Sequence, residues 1–420
     1  MATLLREKSD VAKFLSSPQF HESDGSFAPS SFRRSRNSEP SRMSKPGTLS
    51  FLITGLLAAG LQWGHAGETS NGPTLGSVYA KDFLIGVALN TSVVNGSNSR
   101  AAEIVARQFT ALTAENDMKW QSVHPAPDRY HFAPADAYVE FGQKHQMAVI
   151  GHTLVWHSQT PDWVFQGEGG QPASREVLQM RMREHIQTVV GRYRGRIKGW
   201  DVVNEAVADG GPDVLRDSPW RRIIGEDFFD LAFRYAREAD PKAELYYNDY
   251  GLENEQKRAR ALTLLRGMIQ RGVPIDGVGL QGHYQLDHPS AAVIEQTIKD
   301  FAALGLKVMI TELDVDVLPS RGNSGIADIS RREKADPALD PYAAGLPEDV
   351  QEKLARRYAE LFDVFLRQRK HIGRVTFWGL DDGQSWLNNF PIRGRTNHPL
   401  LLNRELLPKP AFFAVLRKGK

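Results

Sequence analysis

The sequence contains no cysteine, so disulfide bonds, thiolate catalysis and cysteine-based metal sites are excluded. It also has little excess of charge of either sign, with a formal net charge of +2 over 420 residues. Residues 1–66 hold eight lysines and arginines against five acidic residues, so this segment accounts for the excess. The near-neutral remainder gives no electrostatic reason to expect nucleic acid as a partner, and it is compatible with an uncharged substrate.

The chain also lacks a hydrophobic run long enough to span a membrane. Its candidate, Leu49 to Leu61, has 13 residues, which is too short to cross a bilayer as a helix. Met43 and a short basic stretch precede this run, and Gly64-His65-Ala66 follows it. An n-region, an h-region and a small-x-small cleavage site predict a signal peptide over 43–66 and a secreted or periplasmic protein. The alternative is a buried core helix.

The segments on either side of the predicted signal peptide have different compositions. Residues 1–42 are rich in Ser, Arg and Pro, which predicts disorder or a start codon placed too early. The Ser, Thr and Gly content of the stretch after the signal predicts a linker over 67–80. We expect no membrane association once the signal is removed, and we expect a monomer.

From Lys81 onward, short β-type runs alternate with amphipathic stretches such as Arg175–Tyr193, Glu226–Ala239 and Asn254–Arg271. Several runs are almost continuously apolar, as parallel strands covered on both faces are. Eight strand–helix units predict an α/β fold, a (β/α)8 TIM barrel that forms a single catalytic domain over 81–418. The alternative, a doubly wound sheet, would need a glycine-rich loop after the first strand, where the residues are polar instead. The predicted strands are Phe83–Ala88, Phe109–Thr113, Ala148–His152, Ile197–Val203, Glu244–Asn248, Gly277–Gln281, Lys307–Thr311 and Arg374–Trp378.

Polar and aromatic residues follow seven of the predicted strands, at the end of a barrel where active sites lie. A single polar residue after a strand is usually a helix cap, but Trp and His are poor caps. The residues at these strand ends therefore predict a binding and catalytic cleft. They are Glu115, Asn116, Lys119, His152, Trp156, His157, Asn204, Glu205, Asn248, Asp249, Gln281, His283, Glu312, Asp314, Trp378 and Trp386.

Two carboxylates, Glu205 and Glu312, follow the fourth and seventh predicted strands. In an eight-stranded ring, strands three steps apart lie roughly 14 Å apart, which leaves about 4–6 Å between two inward Glu side chains. Retaining glycosidases require about 5–5.5 Å and inverting ones about 6.5–9.5 Å. The estimate favours retention and leaves inversion open. The alternative is that one of the two is only an ion-pair partner.

The neighbours of the two carboxylates suggest different roles for them. Glu312 and Asp314 share strand parity, and His283 ends the adjacent strand, so this His is placed to keep a carboxylate ionised, as a nucleophile requires. Aromatic residues near Glu205 would raise its pKa, which suits a general acid. For Asn204 and Glu205 both to face the site, strand four must end or bulge there.

The strand-end motifs together resemble those of the glycoside hydrolase family 10 endo-1,4-β-xylanases, over about 74–416. The resemblance implies a (β/α)8 barrel over 81–418 that cleaves internal bonds of β-1,4-xylan and xylo-oligosaccharides with retention, without a cofactor or metal. The motifs that carry it are Glu115–Trp120, Gly151–Gln159, Trp200–Glu205, Gly279–Tyr284, Ile310–Asp314 and Phe377–Asp382.

The resemblance also implies roles for individual residues. Glu205 matches the acid/base and Glu312 the nucleophile, Asn204 matches the residue that binds the sugar 2-hydroxyl, and His283 and Asp314 match the nucleophile's supporting groups. Further matches are to sugar-binding positions. Those on the non-reducing side are Glu115, Asn116, Lys119, His152, Trp156, Gln159, Gln281, Trp378 and Trp386, and those on the leaving-group side are Tyr247 and Asn248.

Three other functions are compatible with parts of this pattern. A barrel cellulase or mannanase would use the same two carboxylates, but bulky Trp378 and Trp386 favour a sugar without a C6 hydroxymethyl group. A non-catalytic sugar-binding barrel would be expected to lack one of the two Glu residues. A metal site from His152 and His157 lacks a completing carboxylate. The long segment 318–347 after strand seven is functional, variable or mobile by its length, and it leaves the preferred xylan decoration open.

Overall fold

A computed structural model of the chain describes residues 72–320 and 327–420. The segments predicted as disordered (1–42) and as a signal peptide (43–66) lie outside the described residues. The strands are β1 Leu84–Leu89, β2 Ala111–Ala114, β3 Ala148–Trp156, β4 Gly199–Asn204, β5 Glu244–Asp249, β6 Gly277–Leu280, β7 His283–Gln285, β8 Lys307–Asp316 and β9 Ile372–Phe377. The helices are α1 Leu75–Val78, α2 Thr91–Val94, α3 Ser99–Gln108, α4 Trp120–Val123, α5 Ala133–Lys144, α6 Arg175–Arg192, α7 Pro219–Ile224, α8 Phe228–Ala239, α9 Glu255–Gln270, α10 Ala291–Ala302, α11 Glu348–Arg367 and α12 Pro410–Lys418.

The strands form a closed parallel barrel. Each strand from β1 to β6 pairs with the next, β6 pairs with β8, β8 with β9, and β9 returns to β1. The short β7 pairs only with β8 and stands outside the ring of eight. Helices connect successive strands, so the predicted (β/α)8 barrel is confirmed. The described residues belong to one compact unit, Gly67–Lys420.

All eight predicted barrel strands are present, because apolar β-type runs between turn signals are a strong local pattern. β3 and β8 extend further than predicted, to Trp156 and Asp316, and their extra residues carry side chains of the cleft described below. No helix among residues 72–320 and 327–420 is long and apolar enough to cross a bilayer.

The predicted linker over 67–80 is wrong for its second half. Thr74 caps α1 through a capping box with Ser77, and the side chains of Leu75 and Tyr79 are fully buried. The Tyr79 hydroxyl donates to the main-chain oxygen of Val415 at 2.7 Å, which ties this segment to the last helix. Apolar residues at i and i+4 decide the structure here, against the Ser, Thr and Gly content around them.

Strand alternation divides the side chains of β5 between the barrel interior and the surrounding helices. Tyr246 faces the interior, where its ring lies against Gly199 of β4, and Asn248 contacts Glu312 across the interior. Tyr247 faces outward, with its ring centroid 5.2 Å from that of Phe229 on α8. The inward positions therefore present polar groups toward the carboxyl ends of the strands, where the cleft lies.

Candidate active site

A cleft of about 490 Å³ lies at the carboxyl ends of the barrel strands. The structure brings most of the predicted site residues to it; the five absent from its wall are His157, Asp249, Asp314, Tyr247 and Asn248. Ala327 and Ile329, from the long segment after β8, complete the wall. The predicted residues that line it are Glu115, Asn116, Lys119, His152, Trp156, Gln159, Asn204, Glu205, Gln281, His283, Glu312, Trp378 and Trp386.

Glu205 directly follows β4 and adopts a left-handed backbone conformation with φ of 55°. The pairing of β4 with β5 shifts register between Asp201 and Val203, and the strand ends at Asn204. The Glu205 N–H donates to the main-chain oxygen of Asn248 at 2.8 Å. The bulge and the left-handed residue together let Asn204 and Glu205 both face the cleft, as the sequence required.

Two donors hold the Glu205 carboxyl group. Trp156 Nε1 donates to Oε2 at 2.8 Å, and Gln281 Nε2 donates to Oε1 at 2.9 Å. Burial raises the pKa of Glu205 to about 7, and the negative charges of Asp249 and Glu312 act in the same direction, although the two hydrogen bonds oppose them. A carboxyl group with such a pKa is a competent proton donor near neutral pH.

Glu312 lies on β8 and has a different environment. Asn248 Nδ2 donates to Oε1 at 2.8 Å, and His283 Nε2 lies 3.2 Å from Oε2. Burial alone would raise the pKa of Glu312, but the hydrogen bond from His283 and nearby positive charge bring it below the ordinary value. Glu312 therefore favours the ionised form, whereas Glu205 in the same cleft favours the protonated form.

His283 lies between Glu312 and Asp314. Its Nδ1 is 3.0 Å from both carboxylate oxygens of Asp314, which is itself fully buried beneath the cleft wall. Burial opposes protonation of His283, but the Asp314 charge and hydrogen bond outweigh it and raise the pKa of the His to about 10. Trp386 Nε1 donates to Asp314 Oδ2 at 2.8 Å, so the same carboxylate orients an aromatic wall of the cleft.

Asn248 is fully buried and positions other residues from behind the cleft. Its Nδ2 donates to Glu312 Oε1 and, at 2.9 Å, to Asn204 Oδ1, while its Oδ1 accepts from Thr311 Oγ1 at 2.6 Å. These three contacts fix the orientation of the amide. The resemblance had implied a leaving-group contact for this residue, whereas the structure shows it bonded to the two groups at the centre of the site.

Tyr247 is not brought to the cleft. Its hydroxyl donates to Asp249 and accepts from the Val207 N–H at 3.0 Å, on the outer side of the sheet. Strand parity explains the difference, because Tyr247 and Asn248 are adjacent and only one of them can face the barrel interior.

Polar and aromatic groups cluster on the side of the cleft that β2 and β3 form. Lys119 Nζ donates to Asn116 Oδ1 at 3.0 Å and to Gln159 Oε1 at 2.9 Å, and it lies 5.0 Å from the ring centroid of Trp156. Burial raises the pKa of the nearby Glu115. Hydroxyl-binding groups beside an aromatic face are the combination that a sugar ring requires.

His152 and Trp378 also line the cleft and contact each other. His152 Nδ1 lies 3.0 Å from Asp201 Oδ2, and the two ring centroids of His152 and Trp378 are 5.3 Å apart in an edge-to-face arrangement. No group of three or more His, Asp or Glu residues in the described part of the chain is arranged to hold a metal ion.

Arg216 and Lys257 were not predicted from the sequence; Arg216 contacts Glu205, and Lys257 contacts the acidic end of β5. Arg216 Nε donates to the main-chain oxygen of Glu205 at 3.0 Å, and Nη2 donates to the Tyr250 hydroxyl at 2.7 Å. Lys257 Nζ lies 2.7 Å from Asp209 Oδ1 and 2.9 Å from an oxygen of Asp249. The sequence feature that could have indicated them is the acidic and aromatic end of β5, because buried negative charge there requires cations from other parts of the chain.

The segment after β8 reaches the cleft through its described part. Ala327 and Ile329 line the cleft, and Asp328 Oδ2 lies 3.6 Å from Arg216 Nη1. A second cavity of about 520 Å³ adjoins the cleft and shares His283, Ala327 and Trp386 with it. Residues 321–326 of the segment lie outside the described residues.

The chain is similar in sequence to enzymes of one glycoside hydrolase family. The model of the family "Glycosyl hydrolase family 10" matches residues 74–418. The chain is 43% identical over 352 residues to Endo-1,4-beta-xylanase A of Xylanibacter ruminicola, covering 84% of this chain and 95% of that protein. It is 42% identical over 346 residues to Endo-1,4-beta-xylanase of Geobacillus stearothermophilus, covering 82% and 98%.

Solved structures give the same result. A GH10 endoxylanase retrieved from a sugarcane soil metagenome superposes with a TM-score of 0.78 at 46% identity, over 83% of this chain and 100% of that one. The xylanase XynB from Paenibacillus barcinonensis superposes with a TM-score of 0.74 at 39% identity, over 83% and 99%. The range matched by the family model, residues 74–418, includes every barrel strand.

Proposed function

This chain belongs to glycosyl hydrolase family 10, and we propose that it is an endo-1,4-β-xylanase that hydrolyses internal β-1,4-xylosidic bonds of xylan and xylo-oligosaccharides with retention of anomeric configuration. Relatives at about 40% identity that carry the endo-xylanase name support the substrate. The observation that carries the mechanism is the opposite pKa shift of two carboxyl groups in one cleft, Glu205 raised and Glu312 lowered.

We propose that Glu312 is the nucleophile and Glu205 the acid/base. In the first step, the ionised Glu312 attacks the anomeric carbon while Glu205 gives its proton to the leaving oxygen, and a covalent xylosyl-enzyme forms. In the second step, Glu205 takes a proton from water, the water oxygen attacks the anomeric carbon, and Glu312 leaves. Two inversions give net retention, and no cofactor or metal is required.

The supporting groups have separate tasks in this mechanism. A protonated His283, held by Asp314, donates to Glu312 and keeps it ionised before attack. Asn204 offers its amide nitrogen to the sugar 2-hydroxyl, because its Oδ1 already accepts from Asn248. Hydrogen bonds to that hydroxyl strengthen as the oxocarbenium-like transition state develops.

We propose that pentose specificity depends on the tryptophan wall. Trp386 is held by Asp314 and stacks on Phe390 with ring centroids 4.6 Å apart, so it has little freedom to move aside for a C6 hydroxymethyl group. Sugar rings would bind against Trp378 and Trp386, and their hydroxyls would bond to Lys119, Gln159 and the other polar groups of the cleft wall.

Two measurements test this function. Proton NMR of xylo-oligosaccharide hydrolysis should show the β-anomer of the new reducing end first, followed by mutarotation. Specific activity on xylan should exceed that on carboxymethylcellulose by a wide margin. Initial release of the α-anomer would contradict retention, and comparable activity on the two polymers would favour the cellulase or mannanase alternative.

We further propose that residues 43–66 are a signal peptide, that 1–42 do not form part of the mature protein, and that 81–418 act as a secreted or periplasmic monomer. The basic, apolar and small-residue pattern of 43–66 supports the signal. N-terminal sequencing of the exported protein tests it, and a mature chain that retains Leu49 to Leu61 would contradict it. Light scattering of the purified protein tests the monomer.

A further inference from the structure

A third cavity, of about 700 Å³, lies at the amino-terminal end of the barrel, opposite the catalytic cleft. It opens where β1, β4, β5, β8 and β9 begin, and it shares no residue with the cleft. Its wall includes Lys198 at the entrance to β4, Lys307 at the start of β8 and Arg374 within β9. Nothing in the proposed hydrolysis uses these residues.

Arg374 is the unusual member of this wall. It is only 3% exposed, and its Nε is buried without a hydrogen-bond partner. Within the described ranges, no carboxylate forms an ion pair with it, and its guanidinium carbon lies 5.7 Å from the ring centroid of Tyr246. A buried cation without an ion-pair partner is unfavourable, and Arg374 is placed in the cavity wall, where a bound anion could pair with it.

The remaining charges of the wall do not neutralise Arg374. Glu244 Oε1 accepts from Lys198 Nζ at 3.0 Å and from Lys307 Nζ at 3.2 Å, and its Oε2 accepts from the Tyr246 hydroxyl at 2.5 Å. The Glu244 carboxylate therefore already pairs with two lysines and leaves Arg374 without a counterion among the described residues. The wall as a whole carries four cations, from Lys81, Lys198, Lys307 and Arg374, against two anions, from Asp82 and Glu244.

We propose that this cavity is a binding site for a small oxyanion, either inorganic phosphate or the carboxylate of a small organic acid, with Arg374 as its main ligand. The planar guanidinium fork matches the geometry of a carboxylate or phosphate and binds it through two parallel hydrogen bonds. Lys307 and Lys198 stand at the mouth, where they attract the anion and complete its neutralisation. Binding links the starts of several strands and stabilises the barrel without touching the cleft.

The test is a titration of the purified protein with sodium phosphate by calorimetry and by thermal unfolding, at constant ionic strength maintained with sodium chloride. We expect saturable binding and a rise in Tm of about 2–4 °C at saturation. Glucuronate is the carboxylate arm and xylose the uncharged control. Binding of phosphate alone, of glucuronate alone or of both supports the site and identifies the preferred anion, whereas an equal response to xylose contradicts it.

Three variants decide whether the cavity is responsible. Arg374→Met should abolish the response and leave Tm in the absence of anion unchanged or higher, because it removes an unpaired buried charge while retaining bulk. Lys307→Gln should weaken binding by about tenfold. Lys353→Gln is the matched control, since Lys353 is also exposed and also pairs with a carboxylate, Asp287 at 2.8 Å, but lies away from the cavity.

Two outcomes would overturn the proposal. The first is an anion-dependent rise in Tm that is equal in the wild-type protein, Arg374→Met and Lys307→Gln. The second is a crystal structure, grown in phosphate, in which only water contacts Arg374. If Arg374→Met does not fold, Lys307→Gln and Lys353→Gln decide alone, and equal anion affinities for these two variants would count against the site.

Discussion

Arg216 donates its Nε–H to the main-chain oxygen of Glu205 across 3.0 Å. Glu205 has a φ of 55°, a left-handed conformation that non-glycine residues seldom adopt. Its N–H is also fixed, by the main-chain oxygen of Asn248 at 2.8 Å. Arg216 is in turn held by Asp209 at 2.8 Å and by the Tyr250 hydroxyl. Hydrogen bonds therefore fix both the N–H and the carbonyl group of the residue that carries the proposed acid/base.

We expect Arg216→Lys to lower kcat on xylan by roughly 10- to 100-fold. A lysine keeps the positive charge but cannot bond the Glu205 oxygen, Asp209 and the Tyr250 hydroxyl simultaneously, and a small misplacement of a catalytic group has effects on this scale. Steady-state kinetics on xylan and on an aryl xyloside with a low-pKa leaving group provide the measurement. The aryl xyloside should lose much less in its first step, because its departure needs little help from an acid.

Arg222→Lys is the matched control for this variant. Arg222 is 55% exposed in its side chain and pairs with Asp217 at 2.8 Å in the same connection between β4 and α8. Its replacement should leave both activities within twofold. Equal losses on both substrates for Arg216→Lys, accompanied by a lower Tm, would assign Arg216 a purely structural role.

The pH dependence of kcat/KM should be bell-shaped, with its limbs set by the two carboxyl groups. Activity falls above about pH 7, because Glu205 then loses the proton that it must donate, and it falls on the acid side below the ordinary Glu range, where Glu312 becomes protonated. Because the two groups interact, each limb reports the pair rather than one isolated residue. A profile with no loss of activity between pH 7 and 9 would contradict the role of Glu205.

Asp314→Asn should move the acid limb to higher pH while leaving the basic limb in place. Without the Asp314 charge, His283 loses the main influence that raises its pKa, so it is less often protonated beside Glu312. The pKa of Glu312 then rises, so Glu312 becomes protonated, and inactive as a nucleophile, at a higher pH. A shift of the basic limb instead would mean that Glu312 and Glu205 have been assigned the wrong way round.

Glu205→Gln should stabilise the protein more at pH 8 than at pH 5. The folded-state pKa of Glu205 is raised to about 7, so the folded state holds a proton that the unfolded state releases near its ordinary pKa. Wild-type stability from this group therefore falls as pH rises from the ordinary Glu pKa through 7, whereas glutamine does not titrate. The difference in the free energy of unfolding between variant and wild type should grow by roughly 2–3 kcal/mol from pH 5 to pH 8.

Urea unfolding at the two pH values measures this difference, and using the change with pH removes any constant effect of the substitution. Glu253→Gln is not a suitable control because Glu253 is itself a buried group with a raised pKa. Glu295 provides one, because Lys299 and Arg367 lower its pKa to about 2, so it is ionised in the folded state throughout this range and Glu295→Gln should show little pH-dependent gain. A pH-independent effect at Glu205 would show that its pKa is not raised in the folded protein.

The sequence was sufficient for the barrel and for most of the cleft, because both depend on local patterns: apolar runs followed by polar or aromatic residues. It was not sufficient where tertiary packing decides. Tyr247 and Asn248 are adjacent in β5, and which of them faces the barrel interior depends on the packing of that strand. The position of the register shift in β4 likewise could not be located from composition. Arg216 lies in a polar loop 11 residues after Glu205, and only the folded chain brings its side chain back to that residue.

The response of the two alanine variants to azide should distinguish the roles of the two proposed catalytic carboxylates. In Glu205→Ala, an aryl xyloside with a low-pKa leaving group still forms the covalent intermediate, but water attacks it without a base. The intermediate accumulates, which should give a burst and a lower apparent KM. Xylan, with its poor leaving group, should lose activity by roughly 10²-fold or more. Azide attacks without base assistance, so turnover should recover with formation of the β-glycosyl azide.

Glu312→Ala is the counterpart that makes this experiment decisive. Without the nucleophile no intermediate forms, so the variant should show neither a burst nor accumulation, and activity on every substrate should be lost. Azide that enters the vacated space attacks once and gives the α-glycosyl azide. The configuration of the azide product therefore reports which carboxylate is missing. An α-product from Glu205→Ala, or equal losses on xylan and the aryl xyloside, would exclude Glu205 as the acid/base.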